Sequence, residues 1–502
     1  MQSSDAYKAL MKNLEYYYLL EQVIMELGWD MRVMMPPKGI SQRSKQLALL
    51  RSLQHSELAD PKIGKLLNSV SNDKDFNSRP AQEQRNTHLI NRLHNRETKI
   101  PKDLVGKLEE QRAKTNSVWE KAKQEANYGK FKPEFEKLLE LCIERAKALG
   151  SGEPFDTLMD LYFEPGMTSA KLKPMFDKLK KGLIPLIERC IDSPRQPDPS
   201  VLKRSCPLDI QAKLSEETAR LVGFDFEAGR IDETEHPFTS GDLYDVRITT
   251  HYYEDSFTSS FFAVLHEAGH GIYQQVINPD FAFQPLGEAA SYGVHESQSR
   301  FTENIIGRSF EFWKYYLPRF KELTGDVFQD VSLETMYAAV NRVALTPIRI
   351  FADELTYALH IILRFELERD LLNEKIDLND LPGAWNDKVR NYLKIEVEND
   401  AMGVLQDVHW STGYFGYFPS YELGNIYSAQ LLASIAKDIP NYKQQITQGN
   451  FGGIKAWLDE HVRYHGSLYD PEELIEKATG EKPTANYLLK YLESKYTELY
   501  DL

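Results

Sequence analysis

Two histidines and a glutamate in the pentapeptide His266-Glu267-Ala268-Gly269-His270 have the types and spacing used in metal-dependent hydrolysis. On a helix, side chains four residues apart lie on one face, so His266 and His270 can bind one metal ion. Glu267, beside the first histidine, can act as a general base on a metal-bound water. The same spacing also fits two histidines at the edge of a core with a solvated glutamate. The pentapeptide therefore indicates zinc peptidase chemistry.

The third metal ligand is predicted from the residues after the pentapeptide. A catalytic zinc has three protein ligands and one open position. Three glutamates come next, Glu288, Glu296 and Glu303, and spacing alone does not choose among them. Glu296 is the predicted ligand because Ser299, Arg300 and Glu303 lie three, four and seven residues after it, which gives that helix a polar face. Such a face lines a wet cavity or meets bulk solvent, so simple solvation of Glu296 is the alternative.

One helix is predicted to carry the pentapeptide, from Ser256 to about Val276, with Asp255 or Ser256 as its N-cap. Gly269 and Gly271 are poor helix formers, each costing about 1 kcal/mol relative to alanine. Glycines at these positions indicate that another backbone packs close beside the histidines.

The overall composition favours a soluble protein. The 502 residues include 75 acidic and 60 basic side chains, for a net charge of -15, which disfavours nucleic acid and anionic membranes as partners. No apolar run reaches the roughly 18 residues of a membrane span, and the first residues lack the pattern of a secretory signal. The cysteines have no Cys-x-x-Cys spacing, so we expect no disulfide framework, no thiolate metal site and a cytoplasmic location. They are Cys142, Cys190 and Cys206.

The first part of the chain has the apolar period of helices. The predicted helices cover residues 7–27, 41–56, 104–127, 131–149 and 170–192. The segment Asp192 to Pro199, with the sequence DSPRQPDP, is rich in chain breakers. We therefore predict a single catalytic domain over residues 1–502 with two approximate subdomains. These are a helical array over 1–199 and a metal-bearing half over 200–502.

A change to alternating, β-branched residues before the pentapeptide predicts a small antiparallel sheet. The predicted strands are residues 230–232 and 244–250, with a turn at residues 239–242. An edge strand in such a sheet can pair with an extended peptide substrate. A purely structural hairpin fits the pattern equally well.

Two later segments carry further chemistry. The segment from Ile348 to Asp353 is predicted to be helical, where Arg349 and Asp353 can form an ordinary ion pair four residues apart. The segment from Gly403 to Trp410 leads into a loop rich in glycine and tyrosine over residues 411–421. Such a loop can fold over a ligand or pack against its own domain.

Taken together, these segments resemble the ordered motif set of the M32 metallocarboxypeptidases, the thermostable carboxypeptidase Taq family. The matching motifs are His236-Pro237-Phe238, Asp245 to Thr249, His266 to His270, His295 to Gln298, Ile348 to Asp353 and Gly403 to Trp410. The likeness continues at both ends of the chain, for example in Met35-Pro36-Pro37 and Ala478-Thr479-Gly480. Essentially the whole chain is covered.

The resemblance implies a mainly α fold of the gluzincin metallopeptidase type. This fold has a small sheet of three strands and a deep substrate groove, and it is similar to angiotensin-converting enzyme and neurolysin. Family members remove single residues from the C-terminus of peptides, so we expect peptide substrates with a free C-terminus. The family likeness also implies a homodimer with one divalent metal per subunit, zinc or cobalt. An endo-acting oligopeptidase, a dipeptidyl carboxypeptidase and a non-catalytic peptide-binding protein are the alternatives.

By matching positions, the resemblance implies the roles of the residues in the centre. The metal ligands are His266, His270 and Glu296, and the general base is Glu267. His409 and a tyrosine are expected to stabilise the oxyanion that forms during hydrolysis. The predicted tyrosine is Tyr421, with Tyr414 and Tyr417 as alternatives.

A carboxypeptidase must also bind the free carboxylate one residue beyond the cleaved bond, and a guanidinium does so with two parallel hydrogen bonds. The family motif nominates Arg349, with Asp353 orienting it. Arg247 is the second candidate, although it can instead brace the substrate-binding edge. His236 and Asp245, from the same motif set, are further predicted substrate-binding residues.

Overall fold

The computed structural model describes residues 3–502 and is mainly helical, as the resemblance implies. Over these residues the chain forms α-helices and one small sheet, which lies between the ninth and tenth helices. The helices are α1 Ser3–Val33, α2 Ile40–Ala59, α3 Pro61–Ser71, α4 Ala81–Thr98, α5 Lys102–Gln124, α6 Tyr128–Leu149, α7 Pro154–Tyr162, α8 Ser169–Asp192, α9 Leu208–Val222, α10 Phe257–Val276, α11 Tyr292–Arg300, α12 Phe310–Thr324, α13 Leu333–Val340, α14 Tyr357–Leu372, α15 Leu381–Leu393, α16 Phe418–Asp438, α17 Tyr442–Thr447, α18 Gly452–His461, α19 Pro471–Thr479 and α20 Asn486–Tyr500.

The five helices predicted in the first part of the chain are all present, as α1, α2, α5, α6 and α8. Three further helices there, α3, α4 and α7, were not predicted. Helix α4 has a weak apolar period because Asn86 and Thr87 are buried in it beside Ile90. Helix α3 begins with proline, and the side chain of Asp60 caps it by accepting a hydrogen bond from the Lys62 N–H at 2.7 Å.

The chain forms two compact units, and each unit gathers segments that are distant in sequence. The first unit contains the chain up to Thr98, Asp198–Val340 and Tyr427–Pro483. The second unit contains Lys99–Pro197, Asn341–Ile426 and Thr484–Leu502. One break, between Pro197 and Asp198, lies in the breaker-rich connection. The other breaks divide both predicted subdomains, and the single catalytic domain stays a prediction.

The sheet of the first unit is mixed, so the prediction of an antiparallel sheet is wrong in part. Its strands are β1 Gly229–Glu233, β2 Thr239–Asp242 and β3 Asp245–Thr250, in the order β1-β3-β2. Strands β2 and β3 are antiparallel, but β1 pairs with β3 in parallel. Residues 234–238 cross β3, so β2 lies on the other side of β3 from β1. The chain reverses direction before β2 and again before β3, so β1 and β3 run in the same direction.

The predicted turn at residues 239–242 is strand β2. The turn of this hairpin lies at the next two residues, Leu243 and Tyr244, and Leu243 has a φ of 44°. Tight hairpin turns need positive φ, which favours glycine or asparagine, so Leu243 gave no turn signal in the sequence.

Helix α10 has the bounds predicted for it, with Ser256 at the N-cap, although the Ser256 side chain makes no capping hydrogen bond. Its apolar face is buried, and Phe261 stacks on Trp313 of α12 with ring centroids 5.4 Å apart. His266 and His270 lie on the adjoining face and are partly buried. Among residues 3–502, no helix is both long and apolar enough to cross a bilayer.

Candidate metal centre and catalytic residues

The three predicted metal ligands lie together in the first unit. The Nε2 atoms of His266 and His270 are 3.2 Å apart. Glu296 Oε2 lies 3.6 Å from His266 Nε2 and 3.3 Å from His270 Nε2. Three donors bound tetrahedrally to zinc, each at about 2.0–2.1 Å, lie about 3.3 Å from one another. The spacing of the donor atoms therefore fits an ion of the size of zinc.

Close packing of α10 against α11 brings these donors together. A Cβ atom at Gly269 would lie 2.4 Å from the Gln298 carbonyl oxygen and 2.6 Å from Ser299 Cα. The close backbone approach predicted at Gly269 is thus confirmed. The one predicted at Gly271 is wrong, because a Cβ atom there would meet the side chains of Phe224 and Ile248. Glycine at position 269 allows α11 to approach near enough for Glu296 to reach both histidines.

We expect Gly269→Ala to destabilise the protein by about 1–3 kcal/mol, as is typical of overpacking, and to weaken metal binding. Urea unfolding and a zinc titration measure the two effects. Gly28→Ala is the matched control, because Gly28 lies inside α1 and a Cβ atom added there would lie in open space. That variant should be more stable than the parent by about 0.4–1 kcal/mol. Parental stability and metal affinity in Gly269→Ala would contradict the packing argument.

The other two candidate glutamates point elsewhere. Glu288 accepts a hydrogen bond from the Tyr18 hydroxyl at 2.8 Å. Glu303 Oε2 lies 2.9 Å from His266 Nδ1, the ring nitrogen opposite the one that faces His270. Of the three glutamates, Glu296 is therefore the one that presents an oxygen to both Nε2 atoms.

Glu296 is held as an ionised carboxylate. The Arg300 Nε–H donates to Glu296 Oε1 at 2.7 Å, and the Ser299 hydroxyl donates to Oε2 at 3.1 Å. Burial acts to raise the pKa of Glu296, but Arg300 and the two imidazoles outweigh it and hold that pKa well below its usual range. The carboxylate is thus charged at neutral pH, as a metal ligand must be.

His295 contacts the second ring nitrogen of His270, since the Nδ1 atoms of the two residues meet. Burial holds the pKa of His295 well below its ordinary value, so His295 is neutral. An imidazole that binds a metal through Nε2 carries its proton on Nδ1, and His295 Nδ1 can accept that proton in a hydrogen bond. Sequence reasoning assigned no role to His295, although it stands beside Glu296 in the motif.

Glu267, the predicted general base, is buried in α10 with 7% of its surface exposed. The Thr239 hydroxyl of strand β2 donates to Glu267 Oε2 at 2.6 Å. Sequence reasoning missed Thr239, because its role depends on β2 lying beside α10, and the segment was predicted to be a turn. The strand thus fixes the carboxylate next to the histidines.

The predicted carboxylate anchor and oxyanion residues lie together in the second unit. Arg349 is buried, its Nε–H donates to Asp407 Oδ1 at 3.0 Å, and its Nη1 donates to the Tyr357 hydroxyl at 3.2 Å. Its guanidinium also lies over the ring of Tyr421, 5.1 Å from the centroid. The Tyr421 hydroxyl lies 3.4 Å from His409 Nε2.

The segment around Arg349 differs from its prediction. Arg349–Phe351 forms one short 3-10 turn, so the predicted helix and its ion pair are absent from this segment. Asp353 instead accepts hydrogen bonds from the N–H groups of Ala344 and Thr356, both at 3.0 Å, ahead of α14. The prediction that Asp353 orients Arg349 is therefore wrong. Arg349 pairs with Asp407 instead.

A second arginine supports Asp407. Arg364 of α14 forms an ion pair with Asp407 Oδ2 at 2.6 Å. Gln406 Oε1 accepts from the Arg349 backbone N–H at 2.9 Å and from Arg364 Nη2 at 2.7 Å. Burial acts to raise the pKa of Asp407, but Arg364 and Arg349 hold it well below its usual range. Gln406 and Asp407 belong to the family motif, whereas no sequence signal singled out Arg364.

His409 is neutral, since burial outweighs the attraction of Asp407 and lowers the pKa of His409 to about 4. Of the candidate tyrosines, Tyr417 stacks on the His409 ring with centroids 5.6 Å apart, and Tyr414 is 52% exposed. The structure places the hydroxyl of Tyr421 against a ring nitrogen of His409.

Arg247, the second candidate anchor, lies in the first unit and is already paired. Its Nε and Nη2 donate to the two oxygens of Asp245 at 2.8 and 2.7 Å, and its guanidinium lies 4.4 Å from the ring centroid of Trp29. These contacts favour a bracing role for Arg247.

His236, a predicted substrate-binding residue, is exposed and lies before strand β2.

The family model of the Carboxypeptidase Taq (M32) metallopeptidases matches residues 9–496 of the chain. Thermostable carboxypeptidase 1 of Thermus thermophilus is 39% identical over 484 residues, which cover 94% of each chain. Carboxypeptidase 1 of Bacillus subtilis is 36% identical over 493 residues, 98% of this chain and 97% of the relative. The crystal structure of the M32 carboxypeptidase from Deinococcus radiodurans R1 has a TM-score of 0.96 at 35% identity, over 99% of this chain and 100% of that one.

The chain therefore belongs to the M32 family of carboxypeptidases. It is a metallocarboxypeptidase, a peptide hydrolase that requires a divalent metal. The likeness to angiotensin-converting enzyme and neurolysin stays a prediction.

Proposed function

We propose that the protein releases single amino acids from the C-terminus of peptides, and that His266, His270 and Glu296 bind one zinc ion per chain. The cluster of three donor atoms, 3.2 to 3.6 Å apart, is the observation that carries this proposal. Cobalt is the second candidate ion, because two imidazoles and a carboxylate suit several first-row metals.

Glu267 is the proposed general base. The metal, when bound, supplies Lewis acidity to the scissile carbonyl and lowers the pKa of water. Glu267 accepts the proton of the attacking water and passes it to the leaving amine. The hydrogen bond from Thr239 to Oε2 supports this role, since it orients the carboxylate and leaves Oε1 as the acceptor.

His409 and Tyr421 are the proposed donors to the oxyanion. His409 is neutral, so one of its ring nitrogens carries a proton that it can donate. The contact of the Tyr421 hydroxyl with His409 Nε2 supports Tyr421 over Tyr414 and Tyr417. Preorganised donors of this kind stabilise the charge that develops in the transition state.

Arg349 is the proposed anchor of the substrate carboxylate. Asp407 and Tyr357 fix the orientation of its guanidinium, and burial strengthens a charge-assisted hydrogen bond to a carboxylate. We propose that Arg247 and Asp245 brace the sheet edge and that His236 contacts the substrate. From family likeness and composition, we further propose a homodimer in the cytoplasm.

An N-terminally blocked peptide with a free C-terminus tests this function. We expect stepwise loss of single C-terminal residues, detected by mass spectrometry, that stops when the metal is chelated and returns when zinc is added. Release of dipeptides would favour a dipeptidyl carboxypeptidase, and internal fragments would favour an endo-acting oligopeptidase. No release from the zinc-loaded protein would contradict the proposal.

A further inference from the structure

Glu303 lies in a widened turn that continues α11 towards α12. Phe301–Ile306 forms a π-helical turn directly after Arg300. Its hydrogen bonding is seen in the Gly307 N–H, which donates to the Thr302 carbonyl five residues earlier at 3.0 Å. Single π turns within helices are rare and occur often at functional sites. The side chain of Glu303, in this turn, is therefore a candidate for a functional role.

The Glu303 carboxylate is held on both sides. Its Oε2 lies 2.9 Å from His266 Nδ1 and 3.3 Å from Arg300 Nη1, and its Oε1 lies 3.4 Å from Arg308 Nη2. Its side chain is only 13% exposed. Glu303 is thus an immobilised acceptor.

The position of this acceptor determines how His266 can bind a metal. His266 Nε2 is the nitrogen that faces His270 and Glu296, so it must be free of its proton for metal binding. The proton then resides on Nδ1, and Glu303 accepts a hydrogen bond from that N–H group. A carboxylate in this place fixes the tautomer and the ring plane, and it makes Nε2 a stronger donor to the metal.

Arg300 connects this carboxylate to a proposed ligand. Its Nε–H donates to Glu296 Oε1 at 2.7 Å while its Nη1 lies 3.3 Å from Glu303 Oε2. The planar guanidinium therefore sets the separation of the two carboxylates. One arginine thus positions the ligand from α11 and the group that orients the ligand from α10.

We propose that Glu303 is a positioning residue that holds His266 in the tautomer and orientation needed for metal binding, with Arg300 linking it to Glu296. The proposal rests on the ligand set His266, His270 and Glu296 proposed above. Loss of Glu303 is expected to act through metal affinity and not through the chemical step.

The test measures zinc affinity of the full-length, metal-free protein by competition with a chromogenic chelator. We expect Glu303→Ala to bind zinc about 10- to 100-fold more weakly than the parent, the usual cost of removing such a group. Glu303→Gln should lose less, because its amide oxygen can still accept from Nδ1. At saturating zinc, the kcat of both variants should return close to the parental value.

Glu216→Gln is the matched control, because Glu216 forms an exposed helix ion pair with Arg220 at 2.9 Å. Its zinc affinity should stay within about twofold of the parent. Parental affinity in both Glu303 variants would overturn the proposal. Should Glu303→Ala fail to fold, as seen from its circular dichroism, parental affinity in Glu303→Gln alone would overturn it.

Glu296→Gln separates this proposal from the one on which it rests. If Glu296→Gln keeps parental zinc affinity, the proposed ligand set is wrong, and the role of Glu303 falls with it. If Glu296→Gln loses zinc while both Glu303 variants keep parental affinity, the ligand set stands and only the positioning role is overturned.

Discussion

Glu267→Gln is expected to lower kcat by about 10²- to 10⁴-fold while the protein keeps its metal. The amide cannot accept the proton of the attacking water, so the general base is lost. The metal should remain because the three donors that fit a metal ion are those of His266, His270 and Glu296. Steady-state kinetics on a blocked peptide, with metal analysis of the purified variant, measures both effects.

The fold around Glu267 should survive the substitution. Glutamine is close to glutamate in shape, and its amide oxygen can still accept the hydrogen bond from Thr239. Glu216→Gln, at an exposed helix position, controls for the general effect of removing a carboxylate and should keep the parental kcat. A kcat for Glu267→Gln within about tenfold of the parent, with metal bound, would exclude Glu267 as the base.

Arg349→Ala is expected to lower kcat/KM for peptides with a free C-terminus by about 30- to 1000-fold. This corresponds to the roughly 2–4 kcal/mol lost when one partner of a buried, charge-assisted hydrogen bond is removed. Asp407 keeps Arg364 as a partner at 2.6 Å, so the substitution does not leave it as an unpaired buried charge. The second unit should therefore stay folded.

The sharpest readout is the ratio of kcat/KM for a free C-terminal acid and for its amide. The parent should prefer the acid strongly, and Arg349→Ala should lose that preference, because the charge that recognises the carboxylate is gone. Arg390→Ala is the matched control in the same unit, since Arg390 forms an exposed ion pair with Glu396. An undiminished preference for the acid in Arg349→Ala would show that another group binds the carboxylate.

Much of the candidate site could be predicted from local periodicity. Residues four apart on a helix must share a face, so the placement of His266 and His270 followed once the helix was inferred. The bounds of α10 were confirmed, and so was the close approach at Gly269. The family motifs extended this to the metallocarboxypeptidase class, which the family match confirms.

Predictions failed where a residue's partner is distant in sequence. Arg349 was expected to pair with Asp353, four residues away, but it pairs with Asp407, 58 residues away, because the segment forms a 3-10 turn and not a helix. Likewise, the residues of strand β2 looked like a turn, so the contact of Thr239 with Glu267 could not be foreseen.

The sequence by itself determined the chemistry of this protein: the helix with two histidines and a glutamate, and the motif set of a metallocarboxypeptidase. Helical periodicity and family motifs depend on residues that are close in sequence, so they can be recognised without a structure. Only the tertiary structure decided which of Glu288, Glu296 and Glu303 faces both imidazoles. That choice depends on how α11 packs against α10: Gly269 indicates a close approach, but it does not indicate which segment packs there or which side chain that segment turns towards the histidines.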